Sequence, residues 1–122
     1  MKTDNELIAD FYCKLLNLKG TGLKDNHYYF GNIPVTYAHR SQLKFDTSWD
    51  WLMPVVEKIE TLEFSTQINH DNYTHAEDRY FVRIGNGDFD GDINFFGRGN
   101  SKIEQVYKAV VEFIKWYNTQ KS

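Results

Sequence analysis

The sequence predicts an α+β fold, a two-layer sandwich in which about three helices lie over one face of an antiparallel sheet of three to five strands. Two observations lead there. Apolar residues recur at helical spacing over residues 48–60 and 101–118, whereas the runs 62–68, 79–84 and 92–96 alternate in polarity and are separated by polar or glycine-bearing turns. No helical pattern separates consecutive runs of this kind, so the strands read as an antiparallel meander rather than as βαβ units. A chain of 122 residues holds one real hydrophobic core and is too short for two, so one domain over residues 1–122 is expected.

The first helix is read from Leu7, Ile8, Phe11, Leu15 and Leu18, with Asp4 or Thr3 as its cap and Gly20 as its stop. Residues 20–26 carry turn chemistry throughout and lead into His27-Tyr28-Tyr29-Phe30, where β-propensity is high. Gly31-Asn32 suits a turn, and Pro34 confines Ile33-Pro34-Val35-Thr36-Tyr37 to an edge strand or an irregular extended segment. The second helix is capped by Thr47 or Ser48, carries Asp50 in its first turn and buries Leu52, Val55, Val56 and Ile59. Pro54 lies beyond that first turn, so a kink and a local distortion near Asp50 are expected. The third helix opens on the capping box Ser101-Lys102-Ile103-Glu104 and continues to about Asn118. The expected core includes Trp51, Leu52, Val55, Val56, Ile59, Val106, Val110 and Phe113.

Composition narrows the function classes. The formal net charge of −3 is unevenly spread: residues 1–45 carry +6 and −4, residues 46–92 carry +3 and −11, and residues 93–122 carry +5 and −2. An acidic middle argues against direct nucleic-acid binding through that segment and suits a basic partner, although the same carboxylates also serve solubility on solvated faces. Nine Phe, eight Tyr and three Trp exceed what a core of this size buries, so some rings are expected at the surface, where Tyr and Trp often serve contacts. The lone Cys13 has no internal disulfide partner and falls within a helical pattern, where it reads as a small packing residue. No secretory leader pattern opens the chain and no apolar run approaches membrane-spanning length, so a cytoplasmic setting is expected, with no membrane.

Chemistry-bearing motifs are few. Asn86-Gly87-Asp88-Phe89-Asp90-Gly91-Asp92-Ile93-Asn94 alternates oxygen ligands as calcium loops do. Its first position is Asn and its twelfth is Gly97 where a bidentate Glu is wanted, so a hairpin turn explains the residues more simply. His70, His75 and Asp78 could serve a small metal-dependent hydrolase, but their spacing matches neither a helix nor a strand pair, and neither metal nor cofactor is expected. No nucleophile elbow or phosphate loop is present, so the chain is not expected to be an enzyme. Arg79, Arg83 and Arg98, interleaved with Tyr80, Phe81, Phe95 and Phe96, give the alternative of an RNA-binding sheet.

The blocks Ser48-Trp49-Asp50-Trp51-Leu52-Met53-Pro54-Val55-Val56-Glu57-Lys58-Ile59-Glu60 and Val110-Val111-Glu112-Phe113-Ile114-Lys115-Trp116-Tyr117-Asn118, with Glu6-Leu7-Ile8-Ala9, resemble those of small phage and prophage accessory proteins. That resemblance implies a non-enzymatic role in binding and disabling a host protein, as anti-CRISPR proteins do. An RNA-guided, RNA-cleaving nuclease of the Cas13 kind is the preferred partner, since such effectors expose basic channels for guide RNA. The residues expected to make that contact are Asp88, Asp90, Asp92, Tyr73, Glu77 and Asp78. They lie in expected loops and offer acids and an aromatic anchor to a basic site. A structural or replication-accessory phage role is the remaining alternative.

Overall fold

The computed structural model describes residues 2–33, 35–62, 64–70, 80–85, 94–99 and 101–120, with the backbone alone described over 65–70, 80–83 and 94–99. The chain gathers into two compact units, Met1–Lys58 and Ile59–Ser122. Three helices and antiparallel strands throughout make the fold α+β, as the sequence patterns require.

In the first unit, α1 (Asp4–Leu16) starts on Thr3, whose Oγ1 accepts the Glu6 amide at 3.2 Å and whose hydroxyl donates to Glu6 Oε1 at 3.4 Å. The helix ends earlier than Gly20. Asn17 takes the left-handed conformation and its amide donates to the Cys13 carbonyl, which leaves Leu18 beyond the helix and exposed. The buried side of α1 accordingly holds Ile8, Ala9, Phe11, Tyr12 and Cys13.

A small sheet follows, with β1 (Gly22–Lys24), β2 (His27–Tyr29) and β3 (Tyr37–His39) in that spatial order. Asp25 and Asn26 both have positive φ, 54° and 64°, which is the backbone of a two-residue type I′ hairpin; Asp and Asn tolerate it better than other non-glycine residues. The segment read as pure turn therefore contains a strand as well. On the covered side Tyr28 and Phe30 are buried, and Phe30, Phe45 and Trp51 meet edge to face with centroids 5.2 to 6.2 Å apart.

Helix α2 (Trp49–Glu60) begins where the Ser48 carbonyl accepts the Trp51 and Leu52 amides. It stays helical through Pro54. The proline withholds the amide that the Asp50 carbonyl would accept, but Asp50 is exposed, where water can replace it.

In the second unit β4 (Ser65–His70), β5 (Tyr80–Gly85) and β6 (Asn94–Gly99) form the expected meander, with Ser65 opposite Gly85 and Tyr80 opposite Gly99. Helix α3 (Lys102–Gln120) packs on β5 and β6, and Ser101 Oγ accepts the Glu104 amide as the capping box requires. Phe64 and Phe113 meet edge to face at 4.8 Å. All eight residues expected in the core are buried.

Burial has a consequence at alkaline pH. The Cys13 thiol, with Sγ 3.6 Å from the Tyr29 carbonyl, is pushed from 9.0 up to about 11, mainly by burial. The folded state thus holds a proton that the unfolded chain releases near pH 9. This contribution to stability is complete below about pH 9 and is lost as pH rises towards about 11, at about 1.4 kcal/mol per pH unit. Burial raises the Tyr28 and Tyr12 phenols too, extending the loss to higher pH. Denaturant midpoints should fall across this window, and Cys13→Ala should flatten the decline; a midpoint independent of pH would show that the thiol is solvated.

Candidate functional site

The residues singled out in the sequence are unevenly placed. Tyr73, His75, Glu77, Asp78, Arg79, Asp88, Asp90 and Asp92 lie outside the described residues. His70 ends β4, and the register sets Arg83 opposite Phe96 and Arg98 opposite Phe81. Among the described residues no three His, Cys, Asp or Glu side chains converge as a metal site would require.

Two surfaces of the first unit instead display groups that the core does not use. The first is the outer face of α2. Residues two apart on a helix point to nearly opposite sides, so Trp51 enters the core while Trp49 stays 39% exposed. Met53, one turn on, is 37% exposed, and Asp50 and Glu57 are exposed beside them. Trp49 and Met53 thus form an apolar pair flanked by two carboxylates, neither of them salt-bridged among the described residues. The separation of Trp49 from Trp51 follows from their spacing alone.

The second surface is one face of the small sheet. The register sets His27 opposite His39 and Tyr29 opposite Tyr37, and Lys24 opposite His27 on the neighbouring strand. Alternation places these five side chains together, away from buried Tyr28. The His27 and His39 rings meet at 5.0 Å and the Tyr29 and Tyr37 rings at 5.6 Å, with the His27 and Tyr37 rings 6.0 Å apart. Hydrogen bonds orient the imidazoles differently. His27 Nδ1 donates to the Asp25 carbonyl at 2.9 Å, whereas His39 Nδ1 accepts the Ser41 amide at 3.1 Å and lies 2.8 Å from Ser41 Oγ. In their neutral forms His27 therefore presents a free Nε2 lone pair and His39 an Nε2–H. Two equivalent metal-binding nitrogens would need the His39 contact with the Ser41 amide to be given up.

Beside this sheet a cleft is lined by Thr3, Asn5, Glu6, His39, Arg40 and Ser41. Its central contact is an ion pair, Arg40 Nη2 donating to Glu6 Oε2 at 2.8 Å, with Glu6 only 5% exposed. Asn5 Nδ2 donates to the Leu43 carbonyl and to Asp46. The His39–Ser41 contact spans two residues and caps its own turn, while the acid that lines the cleft, Glu6, is committed to Arg40. The contacts of the cleft tie the first turn of α1 to the segment that follows β3.

Comparison of the chain with protein-family models, curated proteins and solved structures gives no match. None of the described helices is long and apolar enough to cross a membrane.

Proposed function

We infer that the chain works by binding rather than by catalysis, and that its partner is a host protein with a basic surface. The outer face of α2 carries this reading: an exposed Trp49–Met53 pair flanked by Asp50 and Glu57, within a segment, residues 46–92, whose charge sums to −8. Tryptophan supplies large apolar area at low entropic cost, and carboxylates around it speed encounter with a cationic groove. The resemblance to phage accessory proteins turns the partner into a component of host defence. An RNA-guided nuclease with a basic guide channel is preferred, met in the host cytoplasm. Asp88, Asp90, Asp92, Tyr73, Glu77 and Asp78 are the further contact residues that this reading proposes.

The test is phage growth in cells that carry the matching immune system. Expression of the protein should restore plaques. Trp49→Ala should weaken the complex with the captured effector by about thirtyfold, the loss of an interface anchor worth about 2 kcal/mol, with an unchanged thermal melt. Asp50→Asn with Glu57→Gln should slow association and blunt its dependence on salt. No restoration against any defence system of the host would leave a structural or replication-accessory role as the better reading.

A further inference from the structure

We propose that the His27–Tyr29–Tyr37–His39 face of the small sheet binds an unpaired nucleic-acid strand, with bases stacked on Tyr37 and Tyr29 and phosphates held by Lys24 and Lys44. This site is separate from the outer face of α2 and does not depend on a host partner.

Four observations converge on that ligand. Tyr37 is 58% exposed, yet its ring is held by Tyr29 on one neighbouring strand position and by His27 on another, so an aromatic plane is presented already ordered. Such an ordered ring loses little entropy when a base stacks on it, and every base offers a π-face. Two grooves adjoin the tyrosines, one lined by Tyr37 and the other by Tyr29. One is lined by His27, Tyr37, His39, Lys44 and Trp51 together with apolar and amide neighbours; the other by Lys24, Tyr29 and the Gly20–Gly22 turn. Each groove contains one lysine and no carboxylate.

That charge pattern selects the occupant. Neither Lys24 nor Lys44 is salt-bridged among the described residues, so no described anion neutralises the two ammonium groups beside the aromatic row. The neighbouring acid, Asp25, sits in the hairpin turn, and neither groove counts its carboxylate among its lining groups. A chain of alternating flat rings and anions fits this arrangement: rings on the tyrosines, phosphates in the lysine-bearing grooves, and His39 Nε2–H available to a base edge or a phosphate oxygen. A duplex, whose bases are stacked on one another, leaves the tyrosines nothing to stack on. The acidic segment 46–92 does not oppose this, because the face is drawn from residues 24–44, where the sequence carries a positive excess.

The experiment is fluorescence anisotropy on the full purified chain with labelled ten-residue oligouridine, oligothymidine and a hairpin duplex at low salt. Saturable binding of the single strands over the duplex is expected, with the RNA and DNA arms showing which sugar is preferred. Tyr37→Ala should weaken single-strand binding about tenfold, while Tyr37→Phe retains it and both variants melt like the parent, since the residue lies outside the core. Lys24→Ala with Lys44→Ala should lower the slope of log affinity against log salt by about 1.4, two phosphate contacts' worth. No saturable binding up to about 100 μM, the weak end of non-specific affinity, would overturn the proposal. So would binding that survives Tyr37→Ala, or a preference for the duplex. Loss on Arg83→Ala without loss on Tyr37→Ala would overturn it in favour of the second sheet.

Discussion

Val110→Asp is expected to abolish the cooperative unfolding transition. Val110 lies in the middle of α3 with no exposed surface, one turn from Val106, Phe113 and Ile114, which are equally enclosed. A carboxylate there is shut off from water. Burying an unpaired charge belongs to the small class of substitutions that cost more than about 4 kcal/mol, a sum comparable with the whole stability of a chain of this size. Circular dichroism should show the sigmoidal melt replaced by a gradual drift, or its midpoint lowered by tens of degrees. Glu112→Ala, two residues along the same helix but exposed, provides the control and should stay within about 0.5 kcal/mol of the parent. An unchanged midpoint for Val110→Asp would show that this side of α3 faces solvent.

The legibility of such a residue in the sequence has a physical basis. Helices α2 and α3 bury wide apolar stripes, and a stripe of five or more residues at helical spacing has one reading, so Leu52, Val55, Val56, Val106 and Val110 were identifiable from pattern alone. The meander was legible for the same reason, with strand ends displaced by up to three residues. The small sheet was harder. Its strands are three residues long, too short for alternation to register, and β1 begins at Gly22 inside a stretch whose composition signals a turn. The β-propensity of His27–Phe30 marks β2, the strand expected over 33–37 lies instead at Tyr37–His39, and Asp25-Asn26 is an unusual pair for a type I′ turn in place of Asn-Gly. Because the pairing register of such short strands leaves no mark in the sequence, the meeting of His27 with His39 and of Tyr29 with Tyr37 was not foreseeable. The face of α2 differs again. Trp49, Met53 and Glu57 recur every four residues, a stripe as regular as the buried one, and its meaning depends on which side the core occupies.

Glu6 was the least legible residue of all, since a glutamate in the first turn of a helix is ordinarily a solvated cap. Here its side chain is only 7% exposed and its charge is met by Arg40, 34 residues away at the end of the small sheet. Arg40 itself is fixed by its amide, which donates to the Asn26 carbonyl at 2.8 Å beyond the last ladder pair. Arg40→Met is expected to destabilise the chain by about 3 kcal/mol at neutral pH. That is the lower end of the range for removing one partner of a buried pair, because the Arg40 side chain is 40% exposed and water recovers part of the loss. Adding Glu6→Gln to Arg40→Met should restore most of that stability, since the neutral amide no longer needs a counter-charge in the same cavity. Denaturant titration of the four chains of this double-mutant cycle measures the coupling directly. Equal losses from both single substitutions that simply add in the double would show that Glu6 and Arg40 act independently, and that the buried carboxylate is held by the Thr3 cap alone.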